Sequence, residues 1–355
     1  MARILYGIAG EGMGHAVRSR VVIEHLSKEN EIKIATSGKA YSYLTRFFNV
    51  EEIDYFRLIY KNNKTSIALT LLNNIVRLPK IFLKSLKIYK IIKESKPDMI
   101  ITDFEPLVDY FAFFCNIPVI SIDNQHIITK TSDKMPKKYR FEAFLTLAVM
   151  KLFIIKSNKY FINSFFNCSL KDKNSVLIKP LLRKEIINAK TAVKEHILVY
   201  QTFESNKKLI KILQTISEKF VVYGFHKNKK LGNVFLKEVD ESNFLEDLKS
   251  CKAVITSGGF VLISEALYLK KPVLSMPIKG QFEQILNAIY LERLGYGIFA
   301  EESSKEIIEN FIKKIPKFKK NLSNYKKYAN KEALDEIAKA IKNEFSTAHR
   351  AVENS

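Results

Sequence analysis

Acidic residues are scarce in this chain: 37 Asp and Glu stand against 58 Lys and Arg over 355 residues, a formal net charge of +21. The excess runs along most of the chain instead of collecting in one tail. It favours polyanionic neighbours such as nucleic acid, anionic lipid or phosphate-bearing ligands, unless it is only a Lys-, Ile- and Asn-rich bias with solvated lysines. Cysteine is scarcer still. Cys115, Cys168 and Cys251 lie far apart, with no C-x-x-C spacing and no His/Cys cluster, so neither a disulfide framework nor a zinc site is suggested. A long apolar run is also lacking: the longest, AFLTLAVMKLFII at residues 143–155, holds Lys151 and falls short of the ~20 residues a spanning helix needs. The opening Met-Ala-Arg and its short apolar run do not have the layout of a secretory signal. The expectation is a cytoplasmic protein, soluble or peripheral on the inner face of the cell membrane.

What the chain has is a strand-helix rhythm, with short β-branched runs alternating with longer amphipathic segments. Strands are expected at residues 4–8, 31–36, 99–103, 118–123 and 160–163, and again at 197–202, 220–224, 253–256 and 272–276. Continuous apolar strands between helical stretches indicate parallel, doubly wound sheets. The expected fold class is α/β, with two Rossmann-like domains facing a cleft. The segment 179–195 lacks a clear strand, which sets an N-terminal domain of 1–185, a C-terminal domain of 186–345 and a tail of 346–355.

The first strand runs into GIAGEGMGHAVRSR at residues 7–20. A dinucleotide fingerprint G-x-G-x-x-G counted from Gly10 and Gly12 needs a third glycine where His15 stands. The next strand ends in Thr36-Ser37-Gly38 with no acid for a ribose hydroxyl, so NAD is not expected. The loop that remains, with Gly10, Glu11, Gly12 and Gly14, can hold an anion or a sugar close to the main chain. His15, at the helix start, projects into the crevice where such folds bind ligands, and is read as a general base over a structural histidine. Arg18 either steadies an anion or forms a helix-surface ion pair.

Asp103-Phe-Glu-Pro106 follows a buried strand. Asp103 can orient an imidazole, or it can cap a helix that Glu105-Pro106 would begin. Asp123-Asn-Gln-His126 lies on the same edge; Glu105 and Asn124 are placed on the acceptor side, where Asn124 either touches an acceptor or sits in a plain loop.

In the second half a strand runs into Ser257-Gly258-Gly259, whose amides would open a helix and suit a diphosphate. Glu265, about a turn and a half along, can accept both hydroxyls of a ribose. Gln281, Glu283 and Gln284 offer donors and acceptors of the kind that read sugar hydroxyls.

Ser-Gly-Gly, Ser-Glu on the helix, Lys-Lys-Pro-Val, Met-Pro and Glu-Gln-x-x-Asn-Ala together resemble the donor site of two-domain GT-B glycosyltransferases. Nearest in pattern are the N-acetylglucosaminyltransferases of lipid II synthesis in glycosyltransferase family 28, and a related prokaryotic group with Gly-His-Ala-x-Arg-Ser, Asp-Phe-Glu-Pro and Gly-Gln-Phe-Glu-Gln signatures. The resemblance implies that Ser257, Gly258 and Gly259 hold the donor diphosphate, Glu265 the ribose, and Glu283 with Gln284 the transferred sugar. Gly224, Phe225 and Phe244 then stand where the family contacts uracil, with Thr202 on the same donor side. Family members use no metal and no cofactor. The second glycine-rich loop of the lipid II enzymes is missing, and Gly-Gly-Phe replaces their Ser-Gly-Ala, so the resemblance leaves donor and acceptor open.

The function so implied is an inverting, metal-independent transfer of a hexose or N-acetylhexosamine. The donor is a nucleotide-diphospho-sugar, UDP-linked, and the acceptor a hydroxyl of a glycan or lipid-linked molecule of the cell envelope. His15 is the base and Asp103 its orienting acid. The alternatives are a nucleotide-diphospho-sugar hydrolase of the same fold and, remotely, a basic nucleic-acid-binding protein, for which no helix-turn-helix, zinc-knuckle or RNP signal is found. A last segment, residues 65–93, is amphipathic about Pro79, with Lys80, Lys84 and Lys87 on one face and Phe82, Leu86 and Tyr89 elsewhere. It reads either as a core-packed helix or as an interfacial one on an anionic membrane.

Overall fold

The computed structural model describes residues 1–56, 59–61, 64–65, 67–132, 136–153, 155–190, 194–201 and 207–353. The chain divides into two compact units. Met1–Ile59, Ser66–Leu181 and Ala329–Ser355 form the first, and Tyr60–Thr65 with Leu182–Tyr328 form the second.

In chain order the first part of the molecule runs β1 (Arg3–Ile8), α1 (Met13–Leu26), β2 (Glu31–Thr36), α2 (Gly38–Leu44), β3 (Val50–Glu52) and a short hairpin, β4 (Tyr60–Lys61) with β5 (Lys64–Thr65). It continues through α3 (Ile67–Ser95), β6 (Met99–Asp103), α4 (Pro106–Phe114), β7 (Val119–Asp123), α5 (Ile127–Lys130), α6 (Arg140–Phe153), β8 (Lys159–Asn163) and β9 (Ser175–Ile178). The first unit's sheet has seven parallel strands in the order β3-β2-β1-β6-β7-β8-β9. β6 and β7 are buried at every position, which is why their sequences are continuously apolar instead of alternating. On one face of this sheet Leu5, Ile100 and Val119 pack with Ile81, Ile88, Ile91 and Ile92 of α3 and Leu107, Val108 and Ala112 of α4.

The second unit runs α7 (Lys184–Ile187), β10 (His196–Tyr200), α8 (Lys207–Gln214), β11 (Lys219–Tyr223), β12 (Lys229–Leu231), β13 (Val234–Lys237), α9 (Glu241–Ser250) and β14 (Ala253–Thr256). It ends with α10 (Phe260–Tyr268), β15 (Val273–Ser275), α11 (Phe282–Arg293), β16 (Gly297–Phe299) and α12 (Lys305–Ser323). Its sheet also has seven strands, in the order β12-β13-β11-β10-β14-β15-β16, with only β12 antiparallel to its neighbour.

The last helix, α13 (Lys331–Glu353), corrects the expected domain division. The second unit begins at Leu182, close to the expected 185, but it ends at Tyr328, and α13 belongs to the first unit instead of supplying a domain end at 345 and a tail. Its apolar side, Ala333, Leu334, Ile337 and Ile341, is buried, and Lys342 pairs with Glu29 at 3.0 Å. Helical periodicity shows that such a helix needs a partner, but not which sheet it returns to.

Each strand order reverses once, between β1 and β6 in the first unit and between β10 and β14 in the second. At such a reversal the flanking loops diverge and open a crevice at the carboxyl ends of the strands. His15 stands in the first turn of α1, which follows β1, Asp103 is the last residue of β6, and the loop after β14 carries Ser257-Gly258-Gly259.

Candidate active site

Gly10 has its place because the chain passes too close to Ser37 for a side chain: a Cβ there would lie 2.0 Å from Ser37 Oγ and 2.6 Å from its carbonyl oxygen. The Gly10 carbonyl in turn accepts from the amides of Lys39 (2.9 Å) and Ala40 (3.3 Å). Its glycine serves packing between two loops, a role the sequence reading did not separate from ligand approach. α1 then starts after Gly12, which makes no side-chain cap bond. Glu11 in the loop and Gly14 in the first turn of α1 are half-buried.

His15, in the first turn of α1, lies with Nδ1 2.7 Å from Asp103 Oδ1, its side chain 16% exposed. The parallel register that sets Ile8 beside Asp103 brings the two loops together. Asp103 is fully buried. Its Oδ2 accepts from Arg18 Nε at 2.6 Å and from Ser19 Oγ at 3.0 Å, while Arg18 Nη2 donates to Oδ1. Burial opposes the Asp103 charge, but the Arg18 guanidinium and the His15 ring outweigh it and hold the carboxyl below its ordinary range. An ionised Asp103 makes Nδ1 the ring's donor, so in the neutral imidazole it is Nε2 that carries the lone pair.

Arg18 is buried, so its ion pair with Asp103 lies inside the fold and not on the helix surface. It also donates to Asn124 Oδ1, and to Gln125 Oε1 at 3.1 Å. The Gln125 carboxamide is thereby turned with its Nε2 3.4 Å from His15 Nε2. Asn124, read as touching an acceptor or sitting in a plain loop, is buried as a partner of Arg18, and Gln125, to which no role was given, is the neighbour that reaches the ring.

Asp103 is not the helix cap either. Phe104 takes a left-handed φ of 59° and turns the chain, a conformation costing a non-glycine residue ~1–2 kcal/mol. Its ring lies 6.5 Å from that of His15 at 22°. Glu105 caps α4 instead, its carboxylate accepting from the Leu107 amide at 3.3 Å with Pro106 next in the helix. Glu105 is buried there, so its expected place on the acceptor side is corrected to a structural one, and burial pushes its carboxyl up to about 8. Asp123 and His126 form a second buried pair, Oδ2 to Nδ1 at 2.5 Å, with Ser121 Oγ donating to Oδ2 at 2.6 Å. That pair fixes the turn from which Asn124 and Gln125 reach Arg18.

In the second unit β14 ends at Thr256 and Ser257 follows; Gly258 takes φ +91°, where a Cβ would meet Ser275 Oγ at 2.8 Å and the Gln284 carbonyl at 3.0 Å. Asn287 Nδ2 holds the Gly258 carbonyl at 3.1 Å. Gly259 precedes α10, makes no side-chain cap bond, and has nothing within 4 Å of an added Cβ. A helix N-terminus that is uncapped and open in front is suited to an anion.

Glu265 is buried on α10 and grips Arg183: Arg183 Nε donates to Oε1 at 2.6 Å and Nη2 to Oε2 at 3.0 Å. Arg183 Nη1 also reaches Glu241 Oε1 at 3.0 Å. The carboxylate expected to take a ribose is therefore engaged, with only its remaining lone pairs left for hydroxyls. Arg183 escaped the sequence reading because it sits in the strandless segment taken for a boundary.

Gln284 spends its Oε1 on the Ile278 amide at 3.0 Å, while Gln281 and Glu283 are half-buried at the start of α11. The Phe225 ring lies in the apolar core, and that of Phe244 packs edge-on against Tyr200 (5.7 Å) and Tyr223 (5.2 Å). Both rings are thus taken up by packing within the protein, and Gly224 between β11 and Phe225 takes a left-handed φ of +101°. Thr202 lies outside the described residues. Among the described residues, no group of three or more His, Cys, Asp or Glu side chains is placed to hold a metal, and no helix is long and apolar enough to cross a membrane.

Two seven-stranded doubly wound units, with a histidine-aspartate pair at one sheet reversal and an open helix start at the other, define the GT-B class of glycosyltransferases. The chain belongs to glycosyl transferase family 1, whose pattern it matches over residues 2–316. It is 28% identical over 342 residues to an uncharacterized glycosyltransferase of Methanosarcina acetivorans, covering 88% of this chain and 89% of that protein. Among solved structures it resembles the glycosyltransferase of kitacinnamycin, with a TM-score of 0.64 at 14% identity over 95% of this chain and 98% of that one. It also resembles Acinetobacter baumannii MurG, with a TM-score of 0.57 at 12% identity over 96% and 100%. The protein is a glycosyltransferase of the GT-B fold.

Proposed function

We propose that this glycosyltransferase moves a hexose or N-acetylhexosamine from a nucleotide-diphospho-sugar, UDP-linked, to a hydroxyl of a glycan or lipid-linked acceptor in cell-envelope glycan synthesis. The transfer proceeds with inversion and without a metal or cofactor. The observation that carries the reading is the His15–Asp103 pair, with Nδ1 fixed by a buried carboxylate and Nε2 facing the carboxamide of Gln125. An acceptor alcohol donating its proton to Nε2 would accept a hydrogen bond from the Gln125 amide. Its oxygen then attacks the anomeric carbon on the face opposite the diphosphate, the bond to the diphosphate breaks, and the proton stays on the imidazole. The leaving diphosphate gathers negative charge, which the amides at Gly258 and Gly259 and the dipole of α10 stabilise. The base stands on the first unit and the anion cradle on the second. A lipid-linked acceptor would bring the enzyme to the inner face of the cytoplasmic membrane, and no nucleic-acid partner is proposed.

The test is thermal stabilisation by UDP-, GDP- and dTDP-sugars. A true donor at 100 times its dissociation constant adds ~2.7 kcal/mol, and the absence of stabilisation by every nucleotide-sugar contradicts the reading. The same dyad with water as nucleophile would make a hydrolase. Rapid consumption of the donor without acceptor favours that second reading, and slow leakage favours transfer.

A further inference from the structure

α3 is apolar on two opposite sides. Ile81, Ile88, Ile91 and Ile92 are buried against the sheet. On the other side Leu72, Val76 and Leu83 are 60, 73 and 67% exposed, with Ile75, Phe82 and Leu86 exposed beside them. At ~100° per residue these six fall within an arc of about 120°. The outward side of an ordinary surface helix is polar, so this face is anomalous. The patch continues onto α4: the ring of Tyr89 on α3 stands 6.5 Å from that of Phe111 on α4, and Phe113 and Phe114, at the end of α4, are exposed.

The charge carried by α3 is almost all of one sign. Arg77, Lys80, Lys84, Lys87, Lys90 and Lys93 on α3 face a single acid of the same helix, Glu94. Lys80, Lys84 and Lys87 follow one edge of the apolar arc. Lys84 and Lys87 touch Asp54 and Glu51 at 3.9 and 3.0 Å, yet their side chains stay 58 and 45% exposed. A row of long cationic side chains beside an outward apolar face lets the stems lie along hydrocarbon while the ammonium groups reach anionic headgroups. A second copy of this chain would set two lysine rows of a +21 molecule against each other, which opposes self-association.

We propose that the outer face of α3, extended by Phe113 and Phe114, docks the protein on an anionic lipid bilayer, with α3 in the plane of the headgroup–acyl boundary. The proposal agrees with a lipid-linked acceptor, but its test uses no activity and stands whichever donor is used. The full chain is sedimented with vesicles of phosphatidylcholine alone and of phosphatidylcholine mixed with phosphatidylglycerol.

Wild type is expected to pellet with the mixed vesicles and weakly with the neutral ones. The triple substitution Lys80→Glu, Lys84→Glu, Lys87→Glu is expected to lower the partition coefficient by roughly 100-fold. Because these changes also break two ion pairs, a second variant, Leu72→Ser, Val76→Ser, Leu83→Ser, alters only exposed side chains. It is expected to keep the wild-type melting temperature and to lose about tenfold or more in binding. The proposal is overturned if wild type stays in the supernatant with both vesicles, or if the serine variant binds the mixed vesicles as wild type does. It is equally overturned if wild type is a dimer that the serine substitutions dissociate, since a second copy would then cover this face.

Discussion

Replacing Arg18 with Ala would leave Asp103 as a fully buried carboxylate without its cation. Arg18 supplies two of the charge-assisted hydrogen bonds to that carboxylate and is itself only 2% exposed. Removing one partner of a buried ion pair costs ~3–5 kcal/mol, because the other charge stays behind. Here Asp103 keeps Ser19 Oγ at 3.0 Å and the His15 ring at 2.7 Å, so a loss near ~3 kcal/mol is expected at neutral pH. The assay is denaturant unfolding of wild type and variant, read as a shift in midpoint at constant slope. The cost should also depend on pH. Asp103, held below its ordinary range, contributes stability that is present above the unfolded carboxylate value and lost as pH falls through the lower folded one. The gap between wild type and variant should therefore narrow below about pH 4. A loss under ~1 kcal/mol at neutral pH, or a gap that widens in acid, would refute the arrangement of charges described for this site.

Glu105, neutral in the fold with its carboxyl pushed up to about 8, contributes stability that is full below its ordinary value near 4.5 and lost as pH rises through 8. Glu105→Gln should flatten the fall of melting temperature between pH 5 and 9, with a ceiling of ~5 kcal/mol for that span of 3.5 pK units, and an unchanged slope would contradict it. Arg183→Ala strands the buried Glu265 carboxylate, so the second unit should lose ~3–5 kcal/mol on unfolding in denaturant, together with stabilisation by nucleotide-sugars. Gly259→Ala meets open space at an ordinary φ of −62°. The free protein should hold its stability to within ~0.5 kcal/mol while donor stabilisation falls, whereas intact donor stabilisation would move the diphosphate elsewhere.

Every strand expected from an apolar run within the described residues is present, because strands covered on both faces must be apolar throughout. Those that escaped, β3, β4, β5, β9, β12, β13 and β16, are only 2–4 residues each, too short for periodicity to register. The anchor residues His15, Asp103 and Gly258 were legible because glycines and a terminal acid at strand ends mark crevice loops. Their partners were not. Arg18 reads alike on a surface or in a core, Gln125 reaches His15 only through a turn that the Asp123–His126 pair sets, and Arg183 meets Glu265 across 82 residues of sequence. The aromatic residues were ambiguous for the opposite reason: Phe225 follows a strand and Phe244 sits on a helix, but the Phe225 ring joins the core and the Phe244 ring packs on Tyr200 and Tyr223.

The central claim is that His15 removes the acceptor proton. With donor and acceptor both saturating, the turnover of His15→Ala measured against wild type decides it. A fall of at least ~10²-fold, equivalent to ~2.7 kcal/mol of transition-state stabilisation, is predicted, with nucleotide-sugar binding retained. Near-normal turnover by that variant would contradict the account.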